Sequence, residues 1–268
     1  MNDQTLAILV TTFIRDELLY KTIQNIVDNF PKDSILLIAD QGLPSTDKDK
    51  QIETFKSKVP LEYFLLPFNC GLSYARNFLV KKASDLNIPY VLMSADSIQF
   101  TKPYNFQSFI NFLEQDIRRG LIGFNLLGSK CPWEFLMELT TQGILFDTST
   151  IFIEHENIIY KKCDIVRNIF LAKTNTLLNL WDNNLHLCEH EDAFITYKQK
   201  GYEVYWTNYI SFKKISTDNS EEYKTHRSQF SEYQSLLKKK LNIKTWVIYS
   251  PEAMREIRNY KKEQNDTN

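Results

Sequence analysis

Glycine and proline are scarce, at seven and eight among 268 residues, which excludes collagen-like repeats and linker-dominated chains. Cysteine is scarcer. Cys70, Cys131, Cys163 and Cys188 form no CxxC pair and no metal-ligand spacing, and a secreted disulfide scaffold would be denser in cysteine. Neither sign of charge dominates: 32 Lys plus Arg stand against 33 Asp plus Glu, a formal charge of −1. A dedicated nucleic-acid binder usually shows a clear basic excess, so no nucleic-acid partner is expected. No apolar run approaches the roughly 18 residues of a membrane-spanning helix. Met1-Asn2-Asp3-Gln4 carries no basic stretch ahead of its short apolar run, unlike a signal peptide. These absences lead to the expectation of a soluble, cytoplasmic chain. The phosphate-binding glycines of GxGxxG and GxxxxGK[ST] are also missing, so the dinucleotide and P-loop readings fail.

Hydrophobic residues make up 43% and charged residues 24% of the chain, near globular averages. Leu6–Val10 is a continuous apolar run, short enough for a strand buried on both faces. Leu18, Leu19, Ile23, Ile26, Val27 and Phe30 then recur at helical spacing, with Pro31 after the helix end. Strands are expected again at Ser34–Ala39, Leu61–Leu66 and Pro89–Met93, with helices around Asp49–Lys58 and after Gly71. Such alternation implies right-handed crossovers and a mainly parallel sheet flanked by helices. Further on, the pattern predicts a helix near Phe106–Arg118 and a strand at Leu121–Leu127. A hairpin region over Trp133–Tyr160 and a strand over Val166–Ala172 follow. A helix opens at Glu189 and stops at Gly201, and Val204–Trp206 reads as a last short strand. From about Asp218 the chain turns polar and helical. The expected organisation is one α/β domain over residues 1–217 with a helical extension and charged tail over 218–268.

In open α/β sheets ligands bind outside the carboxyl ends of the strands. Those ends carry Thr11, Thr12, Phe13 and Arg15, then Asp40, then Asn69 and Gly71, then Asp96. The order Thr11-Thr12-Phe13-Ile14-Arg15-Asp16, Ile38-Ala39-Asp40 and Leu66 to Asn77 (LPFNCGLSYARN) resembles GT-A glycosyltransferases. It is closest to the family-2-like group that includes β-1,4-N-acetylgalactosaminyltransferase-type domains. The resemblance continues through Tyr90–Phe100, Asp164–Thr174, Glu189–Phe194 and Tyr223–Arg227, and spans roughly residues 5–245. It implies a GT-A fold and inverting transfer of a sugar from a nucleotide-sugar, UDP-linked by expectation, to a glycan acceptor. The competing expectation is a non-catalytic nucleotide- or sugar-binding relative.

The resemblance assigns the donor to Thr11, Thr12, Phe13, Arg15, Asp40, Arg76, Asp96 and Arg227. Asp40 can accept hydrogen bonds from a base or ribose, or can simply cap the turn before Gly42. Arg76 and its helix N-terminus suit a diphosphate, although a surface ion pair is the plainer alternative. Relatives hold Mn²⁺ or Mg²⁺ with an Asp-x-Asp, as a hard cation prefers oxygen ligands. Here the triplet is Ala95-Asp96-Ser97, and Phe212-Lys213-Lys214 stands where many relatives carry a His. Either Asp96 holds a divalent cation with water and diphosphate oxygens, with His226 recruited as a further ligand, or Lys213, Lys214 and Arg227 neutralise the diphosphate without metal.

Glu189-His190-Glu191-Asp192 is the densest ionisable cluster. Inverting transfer needs a carboxylate to take the acceptor hydroxyl's proton, and glycosyl transition states carry oxocarbenium-like charge. The resemblance gives that role to Asp192, with Glu191 flanking it, although acids in a first helical turn also serve the helix dipole. Position 194 is Phe, so the zinc motif HExxH is absent. Trp181 is the acceptor-platform candidate nearest this cluster, and Trp133, Phe135, Tyr205 and Trp206 are others, with core packing as the alternative. Lys238–Lys240 beside Leu236, Leu237 and Leu241 suits peripheral contact with an anionic membrane, or simply a solvated helix face.

Overall fold

The computed structural model describes residues 4–129, 131–215 and 221–266, apart from the side chains of 227 and 261–266. In chain order the elements are β1 (Leu6–Thr12), α1 (Asp16–Asp28), β2 (Ser34–Asp40), α2 (Thr46–Lys56), β3 (Leu61–Leu65), α3 (Leu72–Asp85) and β4 (Tyr90–Ala95). Next come β5 (Ile98–Phe100), α4 (Gln107–Glu114), β6 (Arg119–Leu127), β7 (Leu136–Leu139), β8 (Ile144–Asp147), β9 (Phe152–His155), β10 (Ile158–Cys163) and β11 (Phe170–Lys173). The chain continues with α5 (Glu189–Gln199), β12 (Glu203–Lys214), α6 (Glu221–Arg227), α7 (Phe230–Leu241), β13 (Val247–Tyr249) and α8 (Pro251–Asp266).

All seven residues of β1 and all seven of β2 are buried, as their unbroken apolar runs require of strands covered on both faces. Alternation then divides their side chains. Ala7 and Leu9 join the core beneath α3, with Ala75, Leu79 and Ala83. Leu6, Ile8 and Val10 join the opposite core, with Leu19, Ile23 and Ile26 of α1. The large sheet runs β3-β2-β1-β4-β11-β6-β12-β10-β9, with β5 paired to β12. The first four strands are parallel, as are β6 and β12. Between these blocks lies β11, antiparallel to both β4 and β6. The mixed α/β architecture with a mainly parallel core matches the expectation.

Three elements depart from it. The expected short strand at Val204–Trp206 is the twelve-residue β12, carried onward by a register shift between Thr207 and Ser211. The strand expected from Val166 begins only at Phe170. Val166 instead crosses Gly123, where a side chain would bring a Cβ within 2.5 Å of the valine Cβ. The C-terminal segment is not purely helical: β13 joins β8 and β7 in a second, three-stranded sheet. Ile243, Ala253 and Ile257 are buried in the α3-side core, so this segment and the α/β layer share one interior.

Candidate active site

The carboxyl ends of β1 and β4, the start of α5 and the C-terminal segment enclose a cleft of about 540 Å³. Thr11, Thr12, Phe13 and Arg15 form one wall, with Ala95 and Ser97 beside them, and Glu189, His190 and Glu191 form the facing wall. Trp133, Phe230 and Trp246 supply aromatic surface, and Arg76, Arg167 and Lys214 supply cationic groups.

Asp96 is fully buried and already engaged. Its Oδ2 accepts from Thr12 Oγ1 at 2.8 Å and Arg15 Nε at 3.0 Å, and its Oδ1 accepts from Arg15 Nη2 at 2.5 Å. Its backbone carbonyl accepts from Thr22 Oγ1 at 2.6 Å. The metal assignment of Asp96 and His226 therefore meets an unsuitable donor set. A hard cation wants several open oxygens, whereas this carboxylate is forked onto a guanidinium, with Ala95 and Ser97 on either side. His226 Nδ1 lies 3.3 Å from Asn69 Nδ2, and its ring stands edge-on to Phe13 and Phe68. Among the described residues no group of three His, Cys, Asp or Glu could hold a metal ion.

Asp40 lies outside the cleft lining. Gly42 N donates to its Oδ1 at 2.7 Å, and Lys48 Nζ and Tyr63 Oη donate to its Oδ2 at 2.7 and 2.6 Å. With no exposed surface and three donors, it acts as a turn cap and counter-ion, the alternative open from sequence. Lys48, eight residues away on the polar helix α2, supplies the charge that frees Asp40 from needing a ligand. Arg76 does reach the cleft. It pairs with Glu189 at 2.5 Å, both side chains nearly buried. Its Nε is buried without a partner among the described residues. Arg227 closes α6, and its side chain lies outside the described residues.

The acidic cluster separates on α5. Glu189 is held below its ordinary value: burial works against its charge, but the Arg76 guanidinium and backbone hydrogen bonding together outweigh it. Burial pushes His190 down to about 3, so it is neutral, with Nδ1 2.9 Å from Asn168 Oδ1. Glu191 lines the cleft, and burial, aided by the Glu189 charge, raises it to about 8. Asp192 turns away from the cleft lining and pairs with Lys240 of α7 at 2.8 Å. Lys240 also reaches Asp182 at 2.7 Å. Of the two acids expected at the base position, Glu191 lines the cleft and Asp192 is engaged by Lys240 outside that lining. Successive helical residues diverge by roughly 100°, and here the cleft receives Glu191.

Trp181 is likewise buried, behind Arg76, whose guanidinium carbon lies 5.8 Å from its ring centre. It supports the arginine rather than offering a platform. Phe230 and Trp246, 5.1 Å apart between ring centres, are cleft residues that the sequence reading passed over. Their local signal is weak, since both fall in the polar C-terminal segment.

This combination of a parallel β3-β2-β1-β4 block, an inserted antiparallel strand and a cleft at the strand ends is the GT-A fold of glycosyltransferases. The solved structures bear that out. TarS of S. aureus, residues 1–349 in complex with UDP-GlcNAc, superimposes with a TM-score of 0.61 at 14% identity, covering 98% of this chain and 73% of that one. The mannosyltransferase PcManGT of Pyrobaculum calidifontis, with GDP-Man and Mn²⁺, gives 0.58 at 10% identity, covering 96% and 69%. GalNAc-T7 with UDP, GalNAc and Mn²⁺ gives 0.59 at 10% identity, covering 98% of this chain but 54% of that one. No protein-family model matches the chain.

Proposed function

We propose that the protein is a glycosyltransferase that moves a sugar from a nucleotide-sugar, in the first instance a UDP-sugar, to the hydroxyl of a glycan acceptor with inversion. The observation that carries this reading is the polarity of the cleft. The guanidinium groups of Arg15, Arg76 and Arg167 line it together with aromatic rings and with the Glu191 carboxyl, which burial raises to about 8. Neighbours of the same fold are solved with UDP-GlcNAc, UDP and GDP-Man, and the motif order resembling N-acetylgalactosaminyltransferase-type domains favours a UDP-hexose or UDP-N-acetylhexosamine.

In this mechanism the Glu191 carboxylate takes the acceptor hydroxyl's proton while that oxygen forms its bond to the anomeric carbon. The bond from that carbon to the donor phosphate oxygen breaks, and the nucleoside diphosphate leaves with the electron pair. Arg15 and Arg76 offset the charge that develops on the leaving group. Trp133, Phe230 and Trp246 offer the flat apolar surface against which sugar rings pack.

Arg15 occupying Asp96 favours a second reading, a nucleotide-binding protein without turnover. A panel of UDP- and GDP-sugars tested for hydrolysis and for transfer to oligosaccharides separates the two. Turnover of any donor supports the transferase. Binding with no turnover across the panel supports the non-catalytic reading.

A further inference from the structure

We infer that Arg15 takes the place of a divalent cation at Asp96, so that guanidinium groups hold the donor's diphosphate and nucleotide binding proceeds without metal. The inference rests on the donor-site reading above. Arg15 and Asp96 form a forked pair, with Nε and Nη2 of one face directed at the two carboxylate oxygens. Thr12 closes the remaining approach to Oδ2. The carboxylate has no exposed surface, and the arginine side chain retains 17%. A guanidinium carries five N–H donors. The fork uses two, which leaves both Nη1 hydrogens and one on Nη2 without an acceptor among the described residues.

Arg15 lines the cleft, and the ring of Tyr223 lies 4.4 Å from its guanidinium carbon. The group is therefore fixed from two sides, by a carboxylate and an aromatic face, while its remaining donors meet the cavity. That is the pre-organised planar fork that suits phosphate oxygens. Arg76 and Arg167 line the same cleft. Arg76 is positioned by Glu189, and Arg167 by a hydrogen bond to the Cys131 carbonyl. A cation entering at Asp96 would have to displace a buried two-point ion pair. It would then find no second carboxylate, since Ala95 and Ser97 flank the position. Two paired arginines with donors to spare do the same electrostatic work with no ion.

The test is calorimetric titration of the whole chain with UDP and GDP, in EDTA and in excess Mn²⁺, with uridine and guanosine as controls. The expected result is nucleotide affinity equal in EDTA and Mn²⁺. Arg15→Gln should lose roughly tenfold or more in diphosphate affinity, with the nucleoside's own affinity unchanged. A tenfold gain of native affinity on adding Mn²⁺ would overturn the inference while leaving the donor-site reading intact. Equal losses for nucleoside and diphosphate in Arg15→Gln would also overturn it, because the arginine would then be structural. Failure of the native chain to bind either nucleotide in either condition would overturn both. Should Arg15→Gln not fold, the native comparison in EDTA and Mn²⁺ decides alone.

Discussion

Glu191 and Asp192 are adjacent acids whose surroundings give them different chemistry. Glu191 faces the cleft at about 8, close to the working pH that suits a base. At neutral pH most of it is protonated, so kcat/KM should rise with pH and level off above about 8. A pH–rate profile flat between 6 and 9 would remove Glu191 from the chemistry. Glu191→Gln should lower turnover by about 10²–10⁴-fold where proton removal limits the rate, with Asp192→Asn costing much less. The same shift has a stability consequence. Between the ordinary value of 4.5 and about 8 the folded chain binds a proton at Glu191 that the unfolded chain has released. Stability therefore falls as pH rises through that window. Glu191→Gln removes the dependence, so its melting temperature should gain on the native chain from pH 5 to 8 and hold that gain above. A constant difference across the range would contradict the assignment.

At the scale of elements, two junctions hold the site. Gly71 enters α3 at φ 92° and ψ 153°, a region open essentially to glycine alone. A Cβ there would also lie 2.7 Å from the His186 ring. Gly71→Ala should cost about 1–3 kcal/mol from backbone strain alone, seen as a lower melting temperature, and should loosen Arg76 on the following turn. The second junction is Lys240, which ties α7 to Asp192 at the start of α5 and to Asp182. Lys240→Met leaves Asp192 buried without its counter-charge. The expected loss is about 1–3 kcal/mol, below that of a fully buried pair because Lys240 is 41% exposed. Burial already raises Asp192 despite Lys240, so the deficit of the variant should widen as pH rises and this carboxyl ionises. Chemical denaturation at pH 5 and pH 8 measures that difference. The same contact engages the ammonium of one of three consecutive lysines in ion pairs, which reduces the cationic charge of α7 available for an anionic membrane.

Across the whole molecule, the C-terminal segment completes the cleft. Tyr223, Phe230 and Trp246 line it, and Ile243, Ala253 and Ile257 share the main core. Among the described residues no helix is long and apolar enough to cross a membrane. A chain ending near residue 217 should lose cooperative unfolding as well as its aromatic cleft wall, which a melting curve of that truncation would report.

The amino-acid sequence by itself determined the layered α/β plan, because β1 and β2 carry unbroken apolar runs over Leu6–Val10 and Ile35–Ala39 and α1 and α3 carry one-sided apolar stripes. Those periodicities are local and leave few alternative packings. It also brought Thr11, Thr12, Phe13, Arg15, Arg76 and Glu191 to strand ends and helix starts, where ligands of such sheets bind. Tertiary structure decided the rest. Asp40 found Lys48, Asp96 found Arg15, and Trp181 found Arg76, each across a separation that no local pattern encodes. Whether Glu191 or Asp192 meets the cleft depends on the rotation of α5 about its axis. That rotation is set by the packing of Ala193, Phe194 and Tyr197 into the core and by a lysine 48 residues further along the chain.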